Sequence, residues 1–100
     1  MSSGGLSDPE PATSEIQGLA DQVKGQLEEA TGKNYAIYRA ILYRAQVVVG
    51  TNYFLKVQFG GKDKDYIHLR IFQALPAQGG RIDLSGFQQD KTLSDPIIYF

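Results

Sequence analysis

Few residues in this sequence carry side chains suited to bond-making chemistry. His68 is the single histidine, and there is no cysteine. An imidazole titrates near neutral pH without assistance. Catalysis would need a nucleophile or a second acid–base group beside it, and a metal site would need further ligands. Alternation places His68 with Arg70 on the polar face of a strand, opposite Ile67, Leu69 and Ile71. A structural or solvent-facing histidine is therefore expected. Gly60-Gly61-Lys62 lacks the strand–loop–helix frame and spacing of a phosphate loop and reads as a turn. Glu28-Glu29 reads as a solvated helix face. No catalytic residue, metal ligand set or cofactor is expected from these side chains.

Gln46-Val47-Val48-Val49-Gly50 is the more unusual stretch, lying between two strand-like segments. Hairpin turns usually carry Asn, Asp, Gly or Pro at their centre. Here valines occupy that place, and only Gly50 takes a positive φ cheaply. An apolar loop tip is costly in water unless a partner covers it. The same valines also suit one continuous buried strand. Both readings stand at the level of the residues.

Composition narrows the setting. The chain has 100 residues, with 10 Lys plus Arg against 11 Asp plus Glu, for a formal net charge of -1. That length suits one small domain. A near-neutral balance disfavours nucleic-acid or membrane-surface partners, which select a basic face. The Tyr and Phe residues lack the basic groove that base stacking uses. Apolar runs fall far short of the ~20 residues that span a bilayer. The first residues do not resemble a secretory leader. The absence of cysteine excludes disulfides and suits a reducing compartment.

The elements that position these residues follow from periodicity. Residues 1–13 are rich in Ser, Gly and Pro and are expected to form a flexible, disordered arm. A helix is expected over about 14–31, with Ile16, Leu19, Ala20, Val23, Leu27 and Ala30 in one stripe. Thr13 or Ser14 caps its start, Gln17 stands at capping-box spacing from Ser14, and Gly32 ends it. Strands are expected over 35–48, 52–59 and 66–75, with a short last strand over 97–100. Gly60 to Asp65 and Pro76 to Arg81 read as loops. One helix followed by hairpin strands implies an α+β fold, the helix packed across an antiparallel sheet.

The motifs resemble a known family. Gln46-Val47-Val48-Val49-Gly50-Thr51-Asn52-Tyr53-Phe54 is similar to the first-hairpin motif of the stefins, the type 1 cystatins. Gly4-Gly5-Leu6 and Pro11-Ala12-Thr13 resemble the stefin arm. Ala20-Asp21-Gln22-Val23 and Gln26-Leu27-Glu28-Glu29 resemble the helix, and His68-Leu69-Arg70, Phe72-Gln73 and Leu75-Pro76 the later strand and second hairpin. The ending in Phe100 also fits. The likeness covers essentially the whole chain.

This resemblance implies a single cystatin domain over 1–100, with one helix across a four- to five-stranded antiparallel sheet. It implies reversible, competitive inhibition of papain-like cysteine peptidases, including cathepsins, by a cytoplasmic protein. The implied contact residues are Gly4 and Gly5 in the arm, Gln46, Val47, Val48, Val49 and Gly50 in the first loop, and Leu75 and Pro76 in the second. It further implies a monomer inclined to form a domain-swapped dimer. Two positions depart from the pattern: Val49 stands where stefins usually have Ala, and Ser2-Ser3 precede Gly4 where apolar residues would fill a subsite better. A non-inhibitory interaction module of the same fold and a small α+β enzyme with a Tyr-lined pocket are the rival readings.

Overall fold

The helix stripe and the alternating strands meet in one core. The computed structural model describes residues 5–100. Strand β1 spans Glu10–Pro11, helix α1 Ser14–Thr31, β2 Arg39–Val48, β3 Gly50–Gln58, β4 Tyr66–Gln73 and β5 Ile82–Lys91. All five strands form one antiparallel sheet in the order β1-β2-β3-β4-β5.

Helix α1 starts at Thr13, whose hydroxyl accepts from the Ile16 amide, and ends at Gly32 with φ 72°. Ile16, Leu19, Ala20, Val23 and Leu27 are buried against Leu55, Val57, Ile67, Leu69 and Ile71 of the sheet. Ala30, expected in that stripe, is exposed, and lines a surface groove with Leu84 and Phe87 of β5. Gln17 forms no capping box. Its side-chain amide donates to Tyr38 O at 3.1 Å, and its side-chain oxygen accepts from the Ala40 amide at 2.8 Å. It thus ties the helix to the entry of β2.

Several expected boundaries move. Tyr35 to Tyr38 precede β2 as irregular chain, because the Tyr35 amide donates to Glu28 Oε2 at 2.8 Å and the Tyr38 hydroxyl to Ala20 O at 2.7 Å. Those bonds hold the segment under the helix instead of in the ladder. Ser7 to Ala12 are not a free tail. The Ser7 amide donates to Ala45 O at 2.8 Å and the Ala12 amide to Ile41 O at 2.9 Å, so the arm lies along the β2 edge. Strand β5 is not apparent from alternation, since Ser85, Gly86 and Gln88 to Asp90 blur it. The strand expected at 97–100 is absent.

Residues 92–100 instead form a strap across the second face of the sheet. Two cross-strand rows of that face run Arg44–Phe54–Arg70–Gly86 and Lys56–His68–Gln88. Lys56 Nζ donates to Thr92 O, Leu93 O and Asp95 O at 2.8, 2.5 and 2.6 Å. Arg70 donates to Phe100 O, and its guanidinium lies 5.5 Å from the Phe54 ring and 5.0 Å from the Tyr99 ring. The alternation correctly gave a polar face, but the strap covers it.

His68 is consequently 0% exposed, and neither ring nitrogen has a partner among the described residues. Burial first, then the charges of Lys56 and Lys91, push its pKa from 6.5 down to about 4, while Asp95 acts weakly in the opposite sense. The folded state therefore disfavours the imidazolium. Its contribution is whole above pH 6.5 and is lost as pH falls towards about 4. The expected loss across that window is on the order of 3 kcal/mol. Urea unfolding followed between pH 7 and pH 4 should show it, and His68→Leu should flatten the slope. An equally steep slope in the variant would assign the acid sensitivity to other groups.

Candidate functional site

Three segments converge on one end of the sheet. The β2–β3 hairpin pairs Gln46 with Asn52, Val47 with Thr51 and Val48 with Gly50, leaving Val49 alone at the turn. The tip is thus a loop and not the interior of a buried strand. Val47, Val48 and Val49 are 73%, 43% and 69% exposed. Gln46 and Gly50 lie beneath them and are buried. Asn52 Nδ2 donates to Gln46 Oε1 at 2.9 Å, a bridge inside the hairpin just below the turn.

Gly50 is required twice over. Its φ is 102°, a region that side chains with a Cβ avoid. A Cβ there would also stand 2.6 Å from Gln73 O and 2.7 Å from the Phe72 ring. Close approach of β3 to the end of β4 is what sets the two loops side by side, since Thr51 pairs with Gln73.

The second loop runs from Ala74 to Arg81 and is closed by the Ala74 amide donating to Arg81 O at 2.8 Å. Pro76–Gln78 form a short 3-10 turn. Leu75 O accepts from the Gln78 and Gly80 amides at 2.8 and 3.0 Å, which fixes the loop backbone. The Leu75 side chain remains 40% exposed, and Pro76 is exposed beside it. A groove of about 410 Å³ separates the loops, lined among others by Gly50, Thr51, Leu75 and Pro76.

The arm reaches the same end. Running antiparallel to β2, it passes Tyr43 at Glu10 and Ala45 at Ser7. Gly5, two residues before Ser7, is exposed. Gly4 lies outside the described residues. The arrangement offers an apolar edge with no reactive group. His68 lies buried on the second face, and among the described residues no three His, Asp or Glu side chains group as metal ligands. Association through this edge would draw on dehydration of apolar surface, worth ~25 cal/mol per Å² buried.

Asn52 and Phe72, which the residues mark only as members of family motifs, support this edge from below, and Ser7, for which the residues carry no signal, ties down the arm. For Asn52 a signal exists: a hairpin centred on Val49 sets it directly opposite Gln46. Phe72 carries none, because its contact with Gly50 depends on how closely β3 and β4 approach.

The comparisons with known proteins agree with this geometry. The cystatin domain model matches residues 4–94. The chain is 52% identical over 100 residues to leukocyte cysteine proteinase inhibitor 1 of Sus scrofa, covering 100% of this chain and 95% of that protein. It is 47% identical over 100 residues to cystatin-B of Oplegnathus fasciatus, covering all of this chain and 98% of the relative. Against cystatin-B of Homo sapiens the identity is 45% over 100 residues, with both chains covered in full. The chain belongs to the cystatin family. These relatives are of the stefin type, which the hairpin and helix motifs also indicate.

Two glycine substitutions should part in sign. Gly50→Ala is expected to cost about 2–3 kcal/mol through positive φ and the Phe72 and Gln73 contacts. Gly25→Ala, in the exposed part of α1 with nothing within 4 Å of the new Cβ, is expected to stabilise by about 1 kcal/mol. Urea midpoints of the two variants against the parent decide it, and a neutral Gly50→Ala would show that the tip is not held as described.

Proposed function

We propose that this chain is a reversible, competitive, tight-binding inhibitor of papain-like cysteine peptidases such as cathepsins. The observation that carries the reading is the exposed apolar edge formed by Val47, Val48, Val49 and Leu75 at one end of the sheet. Family membership and relatives named as cysteine proteinase inhibitors support it. The arm at Gly4 and Gly5, the loop Gln46 to Gly50 and the loop at Leu75-Pro76 enter the cleft as a wedge. Val47 to Val49 and Leu75 supply contact area. Gln46 and Gly50 hold the tip, and Pro76 limits the ordering cost of the second loop. The inhibitor presents no bond for cleavage and carries no catalytic residue or cofactor. A chain without cysteine acting on thiol enzymes suits the cytoplasm, and 1–100 acts as a single domain.

The same tip is the hinge for a domain-swapped dimer. β-Branched residues favour extended backbone, and Val47, Val48 and Val49 must reverse direction within the hairpin. Straightening the tip would carry β2 directly into β3 and let β1, α1 and β2 pack on a second copy. The swapped tip no longer enters a cleft, so the dimer is a poor inhibitor.

Titration of papain and of two cathepsins, one with a partly occluded cleft, tests the main reading. A folded chain that leaves papain at full rate would overturn it and favour a non-inhibitory interaction module. Val48→Asp should stay folded and lose ~2–5 kcal/mol of binding, because its carboxylate would be desolvated without a partner. After heating at high concentration, size-exclusion chromatography should resolve a dimer of low inhibitory activity, and Val49→Gly should reduce its yield. A dimer with full activity per chain would move the hinge elsewhere.

A further inference from the structure

Arg44 joins two segments far apart in the chain, the arm and the strap. It lies half-buried on β2, in the row that continues to Phe54 and Arg70. Its Nε donates to Ser7 O at 2.8 Å, and its NH1 group donates to Ile97 O at 2.6 Å. A guanidinium is a planar fork with fixed donor directions, so filling both positions restrains the two acceptors relative to each other.

Ser7 is the point at which the arm becomes tied to the sheet. Its amide donates to Ala45 O, and its hydroxyl accepts from the Ala45 amide, both at 2.8 Å. Arg44 adds the third bond, to the carbonyl of the same residue. Gly5 follows two residues beyond. The direction in which Gly5 leaves the sheet is therefore set at Ser7. On the far side, Ile97 is a firm support because its side chain is buried and its strap is held by Lys56 and Arg70.

We infer that Arg44 is a positioning residue for peptidase inhibition: it braces the arm at Ser7 against the strap at Ile97, so that a segment on the second face of the sheet sets the aim of the arm. This rests on the inhibitory reading above. Arg44 itself touches no part of the proposed contact edge, and it acts through Ser7 alone.

A double-mutant cycle reads that coupling. Every described strand, the helix and the core lie after Gly5, so deletion of Met1 to Gly5 is expected to leave the described elements in place. In the full chain, Arg44→Met should raise the inhibition constant for papain about tenfold, mainly through faster dissociation. In the chain lacking Met1 to Gly5 the same substitution should change it by less than about twofold. An equal factor in both backgrounds would make Arg44 a general stabiliser and overturn the inference. So would a shortened chain that inhibits as tightly as the full one. If Arg44→Met does not fold, Arg44→Lys keeps the charge but not the fork, and should show a smaller loss with the same dependence on the arm. Amide exchange reads the brace without a peptidase: the Ser7 amide should exchange about tenfold faster in the Arg44 variant while core amides stay unchanged. Unchanged exchange at Ser7 overturns the brace. A parent chain that does not inhibit papain instead overturns the inhibitory reading, and the Ser7 exchange still decides whether Arg44 holds the arm.

Discussion

The structure depends on how three cations of the second sheet face find oxygen partners. Arg44, Lys56 and Arg70 sit on neighbouring strands of a face that alternation makes polar. Left open to water, that face would need no cover, and Phe54 would be exposed beside them. Residues 92–100 instead lay their carbonyls over the cations, which lets Phe54 and His68 become fully buried. Charge-assisted bonds to backbone oxygens offset the desolvation of the cations, and ring contacts of Phe54 with Tyr99 and Phe100 add apolar burial. The sheet is thereby covered on both faces, by a helix on one and by irregular chain on the other.

That double cover frees one end of the sheet for exposed apolar side chains. The hairpin tip is rigid at its base, through Gln46 with Asn52 and through the approach of Gly50 to Phe72, and unprotected at its summit. The second loop is organised in the same way, with Leu75 O taking two amides while the Leu75 side chain faces out. Preorganised backbone under exposed apolar side chains reduces the ordering cost of association. The cost of the arrangement falls elsewhere, on a buried imidazole without a partner among the described residues and on valines forced through a reversal.

Much of the fold was legible in the residues. The stripe from Ile16 to Leu27 gives the helix, Thr13 or Ser14 its start and Gly32 its end, because caps and periodicity are local properties; the structure selects Thr13. Alternation gave β3 and β4, and the valines before Gly50 marked an anomaly that proved to be the exposed tip. Tertiary structure alone decided the rest. Ser7 to Ala12 look disordered by composition, yet the free edge of β2 supplies backbone partners that no composition reveals. Ile97 to Phe100 look like a strand, yet the cations beneath them compete for their carbonyls and win. Alternation puts His68 on the polar face, but whether that face meets water depends on a segment more than twenty residues away in the chain. Local sequence fixes what each segment prefers. Which groups are left needing partners, and which distant segment supplies them, is settled only when the sheet is assembled.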